Sequence, residues 1–188
     1  YITGEKPVPQ FYKEFQGQFS GGFEVTKDLQ RIGVVNQTTM LASDTQAIAD
    51  YLKNLVSQQY GLTEKTIDGR FADTRDTLCY ATNDNQTSVS GMLQQEADIA
   101  VVVGGRNSSN TSHLVELCEE KLPTFFVRSE DDILSNKRII QFNWRTKAET
   151  KVENWLPSHA PARILVTSGA SCPDAMVEGV LKKIHSFY

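Results

Sequence analysis

The sequence contains few of the residues that would tie it to a secreted or membrane-bound protein. Its 188 residues include only three cysteines, Cys79, Cys118 and Cys172, which lie far apart and form no CxxC pair. A disulfide framework of the kind that stabilises small secreted domains is therefore not expected, and a reducing cytoplasm suits the chain better. The longest apolar run, 99–103, is far shorter than the roughly 20 residues that span a bilayer.

Positive charge is also scarce. The chain has 19 Lys and Arg against 23 Asp and Glu, a formal net charge of −4, and an isoelectric point near 5.4. Nucleic acids and anionic membranes bind basic faces, so we expect neither as a partner. Hydrophobic residues make up 39% of the chain, which is ordinary for a globular protein of one or two small domains.

Short apolar segments alternate with amphipathic ones along most of the chain. Strands are predicted at 31–36, 77–79, 99–103, 124–127 and 163–166. Helices are predicted at 9–19, 44–60, 84–96 and 111–121, and a last helix is expected to open at 171–174. Such alternation predicts an α/β fold with parallel strands and right-handed crossovers. The fully apolar 99–103 is typical of a strand buried on both faces. The least regular stretch, 130–157, is expected to hold one helix and irregular chain.

Two helical segments carry more specific expectations. Phe11, Phe15 and Phe19 recur at i, i+4 spacing, a stripe that we interpret as core packing rather than as a binding surface. Ser43 followed by Gln46 reads as an N-cap with a capping box.

Four turns rich in hydroxyl and amide side chains follow predicted strands. They are 36–39, 79–82, 104–110 and 167–171. In parallel α/β sheets, ligands bind beyond the carboxyl ends of the strands, and a helix N-terminus attracts anions. Together these turns could hold a small phosphorylated ligand. The alternative remains open that Gly104-Gly105 is only a tight turn, that Ser108 or Asn110 only caps a helix, and that Arg106 is solvated.

Cys79 follows a predicted strand and precedes a helix, a position that favours the metal-binding thiolate. A half-buried bystander is the competing interpretation. Cys118 lies with leucines on a helix and is expected in the core. Cys172, in the first turn of the last helix, could be reactive, but an inert thiol is the favoured interpretation. The histidines at 113, 159 and 185 show no ligand spacing.

Five segments together resemble the 4-hydroxy-3-methylbut-2-enyl diphosphate reductase family, and they occur in the family's order. They are VVNQTTML at 34–41, DTLCYATNDNQ at 76–86, VVVGGRNSSNTSHL at 101–114, ENWLP at 153–157 and VTSGASCPD at 166–174. The resemblance implies a cloverleaf of three small α/β domains around a [4Fe–4S] cluster held by three cysteines. It implies reductive removal of the substrate hydroxyl as water, which gives isopentenyl or dimethylallyl diphosphate, with ferredoxin or flavodoxin as electron donor.

The resemblance also assigns roles to individual residues. Cys79 matches the third cluster cysteine, and Ser108, Ser109, Asn110 and Ser171 match the residues that bind the diphosphate. Thr38 matches a threonine of the proton-delivery network near the substrate hydroxyl, and Thr39 follows it in the substrate pocket. By the same comparison, 1–75 is the later part of the family's second domain and 76–188 is its third.

The chain departs from the family at several positions. The first two cluster cysteines, the acidic proton donor and the diphosphate-binding histidines of the family lie upstream of anything matched here. Asn85 stands where relatives carry arginine, and Cys172 where they carry a small residue. Because the chain begins with Tyr1, we interpret it as part of a longer or processed protein. One thiolate cannot hold a four-iron cluster, so we expect this chain alone to be cluster-free and inactive. The alternative is a cluster-free binding module for phosphorylated metabolites.

Overall fold

The computed structural model describes residues 1–72 and 79–188. Their contacts divide them into two compact units. Unit 1 comprises 1–37 and 42–72, and unit 2 comprises 38–41 and 79–188. The expected domain boundary at 75/76 and the strand end at 77–78 lie outside the described residues, so the assignment of 1–75 and 76–188 to two domains stays a prediction.

Unit 1 is mostly helical. It contains α1 (Val8–Glu14), α2 (Val25–Asp28), β1 (Ile32–Gly33), α3 (Ala42–Tyr60), a 3₁₀ turn (Ile67–Gly69) and β2 (Phe71–Ala72). The two strands pair in parallel, with Ile32 opposite Phe71. The small core is formed by Val56, Ile67 and Phe71. The capping-box prediction is wrong, because α3 begins at Ala42 and already includes Ser43.

The aromatic stripe of unit 1 is only partly covered. Phe11, Phe15, Phe19 and Phe23 contact one another with ring centroids 4.6–6.3 Å apart. However, Phe15 and Phe19 are each 38% exposed, and α1 ends at Glu14 instead of continuing to 19. The stripe is therefore a surface cluster of rings in this chain and not the buried core that the spacing predicted.

Unit 2 is built on a parallel sheet of three strands in the order β4-β3-β7. The strands are β3 (Ile99–Val103), β4 (Thr124–Val127) and β7 (Ile164–Ser168). All five residues of the central strand β3 are buried, as expected for a parallel strand covered on both faces.

Helices cover the two faces of this sheet. On one face, α4 (Tyr80–Met92) and α5 (Ser109–Glu119) pack on Ala100 and Val102. On the other, α6 (Asp174–His185) packs on Val101 and Val103 through Val180 and Ile184. The period-two alternation of β3 thus gives each face its own core, and the expected α/β class is confirmed. None of the helices in the described part of the chain combines the length and the apolar character that a membrane span requires.

The stretch from 130 to 157 differs from the expectation of a helix. After a 3₁₀ turn (Glu130–Asp132), β5 (Arg138–Asn143) and β6 (Ala148–Glu153) form an antiparallel hairpin. Asn143 Oδ1 accepts hydrogen bonds from the backbone N–H groups of Arg145 (2.9 Å) and Thr146 (3.0 Å), which closes the turn. Ile139 and Phe142 anchor the hairpin in the two cores of unit 2.

Candidate functional site

The candidate site lies at the carboxyl ends of β3 and β7, which are adjacent. Val103 pairs with Ser168, and the backbone N–H of Gly169 donates to the Val103 carbonyl at 3.1 Å. From this edge β3 leads to α5 on one face of the sheet, whereas β7 leads to α6 on the other. The chain therefore diverges between two neighbouring strands, which is the topological switch point where α/β proteins bind ligands.

The turn after β3 is organised by the N-cap of α5. Ser108 Oγ accepts hydrogen bonds from the backbone N–H of Thr111 (3.2 Å) and from Thr111 Oγ1 (2.9 Å). Both bonds use the oxygen as acceptor, so the hydroxyl proton of Ser108 is still available for a ligand. Ser108 is thus a helix cap, which is one of the two roles that the sequence left open. The other role, binding of a phosphorylated ligand, is still compatible with this geometry.

Two glycines let the turns after β3 and β7 close around Thr111. A Cβ at Gly104 would lie 2.6 Å from Thr111 Oγ1, and a Cβ at Gly169 would fall on the same oxygen and lie 3.6 Å from Ser108 Oγ. The turn that carries Ser171 is therefore packed directly against the first turn of α5. This contact brings together two of the four turns that the sequence singled out.

The side-chain amide of Asn110 is buried in this region without hydrogen-bond partners in the described part of the chain. Its side chain is 93% buried, yet neither Oδ1 nor Nδ2 has a hydrogen-bond partner among the residues that the structure describes. A buried amide left unpaired costs about 1–3 kcal/mol. Buried polar groups without a protein partner frequently mark a place where a ligand or water belongs.

Two side chains of α4 donate hydrogen bonds to other segments of unit 2, the end of β7 and segment 38–41. Asn85 Nδ2 donates to the carbonyl of Ser168 at 3.2 Å, and Gln86 Nε2 donates to the carbonyl of Met40 at 2.9 Å. Segment 38–41 contains Thr38, which is exposed, and Thr39, whose Oγ1 is buried without a partner in the described part of the chain. Asn85, where the resemblance implies arginine, therefore supports the turn after β7.

Cys79 is exposed and is the N-cap residue of α4. Asn85, in the second turn of the same helix, donates to the Ser168 carbonyl at the end of β7. Ser109 and Ser171 are exposed as well, and Cys172 N–H closes the turn by donating to the Gly169 carbonyl at 2.8 Å. The roles assigned to Thr38, Thr39, Cys79 and the serines stay predictions.

The other two cysteines are held as neutral thiols. Burial, with a smaller contribution from Glu119, raises the pKa of Cys118 to about 12, and this residue lies in the core as expected. Burial, followed by the negative charge of Asp174, raises the pKa of Cys172. Metals bind the thiolate, so neither environment favours metal binding.

The described residues do not by themselves fit a four-iron cluster. Such a cluster needs several thiolate ligands. Across residues 1–72 and 79–188, no three side chains of His, Cys, Asp or Glu come together as a metal site. Cys79 could supply one ligand, and any others would have to come from elsewhere.

The sequence did not predict the contact between two residues of the site. Thr111 and Gly169 form the contact between the two turns, but their importance arises from a pairing between segments 58 positions apart. The only local signal was the recurrence of hydroxyl residues next to a glycine at both turns.

A sequence profile of the LytB protein family matches residues 11–185. The chain belongs to the LytB family. Two proteins named 4-hydroxy-3-methylbut-2-enyl diphosphate reductase, from Crocosphaera subtropica and Picosynechococcus sp., are each 38% identical to it over 185 residues. The motif-based resemblance is thereby confirmed. The alignments cover 98% of this chain but 45% of each relative, so the chain spans less than half the length of these curated LytB-family proteins.

A solved structure shares the fold of this chain. The E-1-hydroxy-2-methyl-but-2-enyl-4-diphosphate reductase from Plasmodium falciparum superposes with a TM-score of 0.54 and 20% identity, covering 88% of this chain and 41% of that one. At this identity the likeness establishes the fold alone.

Proposed function

We propose that this chain is the part of a 4-hydroxy-3-methylbut-2-enyl diphosphate reductase that holds the diphosphate of the substrate. Membership of the LytB family over residues 11–185 supports the activity of the whole protein. The switch-point geometry supports the role of this part, because hydroxyl-rich turns from β3 and β7 meet there at the N-terminus of α5.

The proposal depends most on the side-chain amide of Asn110. Its amide is buried and unpartnered within the described residues, and it follows Ser108 and Ser109 at the start of α5. A diphosphate oxygen would accept a hydrogen bond from Nδ2 and so remove part of the desolvation cost of the buried amide. The hydroxyls of Ser108, Ser109 and Ser171 would donate to the remaining oxygens.

In the proposed reaction, two electrons and two protons enter the allylic alcohol and its hydroxyl leaves as water. Isopentenyl or dimethylallyl diphosphate is the product. Thr38 is proposed to lie in the proton-delivery path and Thr39 in the substrate pocket. The whole protein would receive electrons from ferredoxin or flavodoxin and carry a [4Fe–4S] cluster with Cys79 as one ligand. A reducing cytoplasm is proposed as its compartment, since all three cysteines are free.

A second function is a cluster-free binding module for phosphorylated metabolites. It is supported by the same polar site at the switch point, whose hydroxyl and amide groups could hold a phosphate by hydrogen bonds without any redox group. Diphosphate binding is common to both proposals, whereas a cluster and electron transfer belong only to the first.

Titration calorimetry with the allylic diphosphate tests the diphosphate site. Asn110→Asp keeps the size of the side chain but places a negative charge beside the phosphates, so we expect binding at least tenfold weaker, about 1.4 kcal/mol. Asn136→Asp makes the same change at an exposed residue before β5 and should leave affinity unchanged. Equal affinity in both variants, or no binding by the unaltered chain, would overturn the proposal.

A further inference from the structure

A cavity of about 800 Å³ lies at the end of the unit 2 sheet that is opposite to the switch point. We term it the amino-end cavity, because its lining includes Asp98, which directly precedes β3. A strand rises about 3.3 Å per residue, so Asp98 and Gly104 lie roughly 20 Å apart. The cavity is therefore separate from the turns that carry Asn110 and Ser171. Its volume is within the range of small-molecule sites, about 300–1,000 Å³.

Two aromatic side chains belong to the lining of the amino-end cavity. Phe187 packs against the core on the α6 face of the sheet, whereas Tyr188 is 58% exposed. The hydroxyl of Tyr188 donates to the carbonyl of Pro157 at 2.7 Å, so its proton is already used. A ligand would therefore meet mainly the flat ring of Tyr188, and planar heterocycles stack on such rings.

Two carboxamides stand at the same cavity, those of Asn136 and Asn154. The backbone N–H of Asn154 donates to the carbonyl of Lys137 at 2.6 Å, which ties the two ends of the β5–β6 hairpin together. Asn154 has a φ of 55°, a left-handed conformation that is uncommon for residues other than glycine and that recurs at ligand sites. Each carboxamide both donates and accepts hydrogen bonds, as recognition of the edge of a nucleobase requires.

The charge that is available at the amino-end cavity is positive. Both carboxylate oxygens of Asp98 are engaged: Oδ1 lies 3.3 Å from His159 Nε2, and Oδ2 accepts from the backbone N–H of Arg163 at 2.8 Å. Lys137 is exposed and takes part in no ion pair with the residues that the structure describes. Its ammonium therefore favours an anionic group, such as a phosphate, on the ligand.

We propose that the amino-end cavity binds a mononucleotide. The base would stack on Tyr188 with its edge at the amides of Asn136 and Asn154, and the phosphate would lie near Lys137. An apolar ligand would leave the amides and the ammonium unused, and a phosphate ion would occupy only a small part of the cavity. The inference is independent of the proposed reductase function, because it uses none of the switch-point residues.

Adenosine 5′-monophosphate, titrated into the chain at constant ionic strength, tests where the nucleotide binds. The ring signals of His159, which lines the cavity, should shift saturably in NMR spectra, whereas those of His113 on α5 should stay in place. His159→Gln and His113→Gln identify the two sets of signals. A shift of His113 without one of His159 would locate the nucleotide near the start of α5 and overturn the inference.

Variants at Tyr188 test the stacking. Tyr188→Leu removes the ring and should weaken binding of both adenosine 5′-monophosphate and adenosine at least about fivefold, measured by calorimetry. Tyr188→Phe keeps the ring and should retain binding within about twofold. Tyr51→Leu is the matched control, since Tyr51 is an exposed tyrosine of α3 outside the lining. Equal affinities of Tyr188→Leu and Tyr51→Leu would contradict the stacking.

Variants at Lys137 test the phosphate contact. Lys137→Gln should weaken binding of adenosine 5′-monophosphate at least about fivefold but change that of adenosine, which lacks the phosphate, less than about twofold. Lys151→Gln removes the same charge from an exposed position on β6 outside the lining and should affect neither ligand. An equal loss in both variants would mean attraction to net charge only and would overturn the inference.

Asn154→Gly tests the amide without disturbing the backbone. Glycine adopts the left-handed conformation readily, so the melting temperature should change little while affinity for adenosine 5′-monophosphate falls severalfold. Ribose 5-phosphate, which lacks the base, should bind the unaltered chain much more weakly than the nucleotide. Equal binding of these two ligands would show that the base is not recognised. Binding of the allylic diphosphate at Asn110 is measured separately, so either proposal can fail without the other.

Discussion

At the scale of single residues, Asn110 and Thr111 are neighbours in sequence with opposite roles. Thr111 uses its backbone N–H and its hydroxyl to bind the Ser108 cap, and its side chain fills the space left by two glycines. Asn110 is also buried, but its side-chain amide has no hydrogen-bond partner within the described chain. We infer that Thr111 holds the turns after β3 and β7 together, and that the amide of Asn110 is available to bind the ligand.

Gly169→Ala should destabilise unit 2, because the added Cβ would overlap Thr111 Oγ1. Overpacking of this kind costs about 1–3 kcal/mol, and the free energy of unfolding in urea measures it. Gly105→Ala is the matched control, since a Cβ there meets nothing within 4 Å. Adding Thr111→Ala to Gly169→Ala should recover part of the loss. Equal stability of the two alanine variants would show that the two turns are not in contact.

At the scale of elements, the start of α5 forms the candidate site. Its N-cap Ser108 and its first residues Ser109 and Asn110 follow the carboxyl end of β3. The N-cap therefore determines where the helix begins relative to the site. Stability and binding should respond differently to changes at the cap.

Two substitutions of Ser108 separate these contributions. Ser108→Ala removes the acceptor for Thr111 and should lower the free energy of unfolding by about 1 kcal/mol. Ser108→Asp is also a good N-cap and should keep stability close to that of the unaltered chain. Its carboxylate would nevertheless repel a diphosphate, so binding measured by calorimetry should fall at least tenfold. Retained diphosphate binding in Ser108→Asp would remove Ser108 from the proposed site.

The elements that the sequence predicts well are those with an unambiguous local pattern. The run 99–103 reads as a buried strand, and all of β3 is buried. The β5–β6 hairpin was missed because β6, with sequence AETKVE, is exposed except at Val152, which is half-buried. A polar strand that follows a turn without glycine has no hydrophobic alternation or turn signal in its sequence. Its pairing with β5 depends on the fold and not on the local sequence. The Phe11 stripe was misread because spacing indicates a shared helix face and not what covers it.

The same limit applied to the candidate site. The sequence identified its polar turns, since hydroxyl and amide residues cluster after apolar strands. It did not identify Gly169 as a contact of Thr111, or Asn85 as the donor to the Ser168 carbonyl. Both contacts depend on how distant segments are brought together by the sheet.

At the scale of the whole molecule, the chain has a candidate binding site and one exposed thiol, and it spans less than half the length of its curated relatives. Anaerobic reconstitution with iron and sulfide should therefore leave it without a stable four-iron cluster, as judged by iron analysis and visible absorption. Cys79→Ser is the control and should give the same low iron content. Four irons per unaltered chain would contradict this expectation and show that cluster ligands other than Cys79 have been missed.

The most direct test of the central claim is the side-chain amide signal of Asn110 in a ¹⁵N-labelled chain titrated with the allylic diphosphate. A hydrogen bond from Nδ2 to a phosphate oxygen should move this signal markedly downfield at one equivalent, together with the backbone amides that begin α5. The account predicts that shift. An Asn110 amide that stays in place while the ligand perturbs another surface would contradict it.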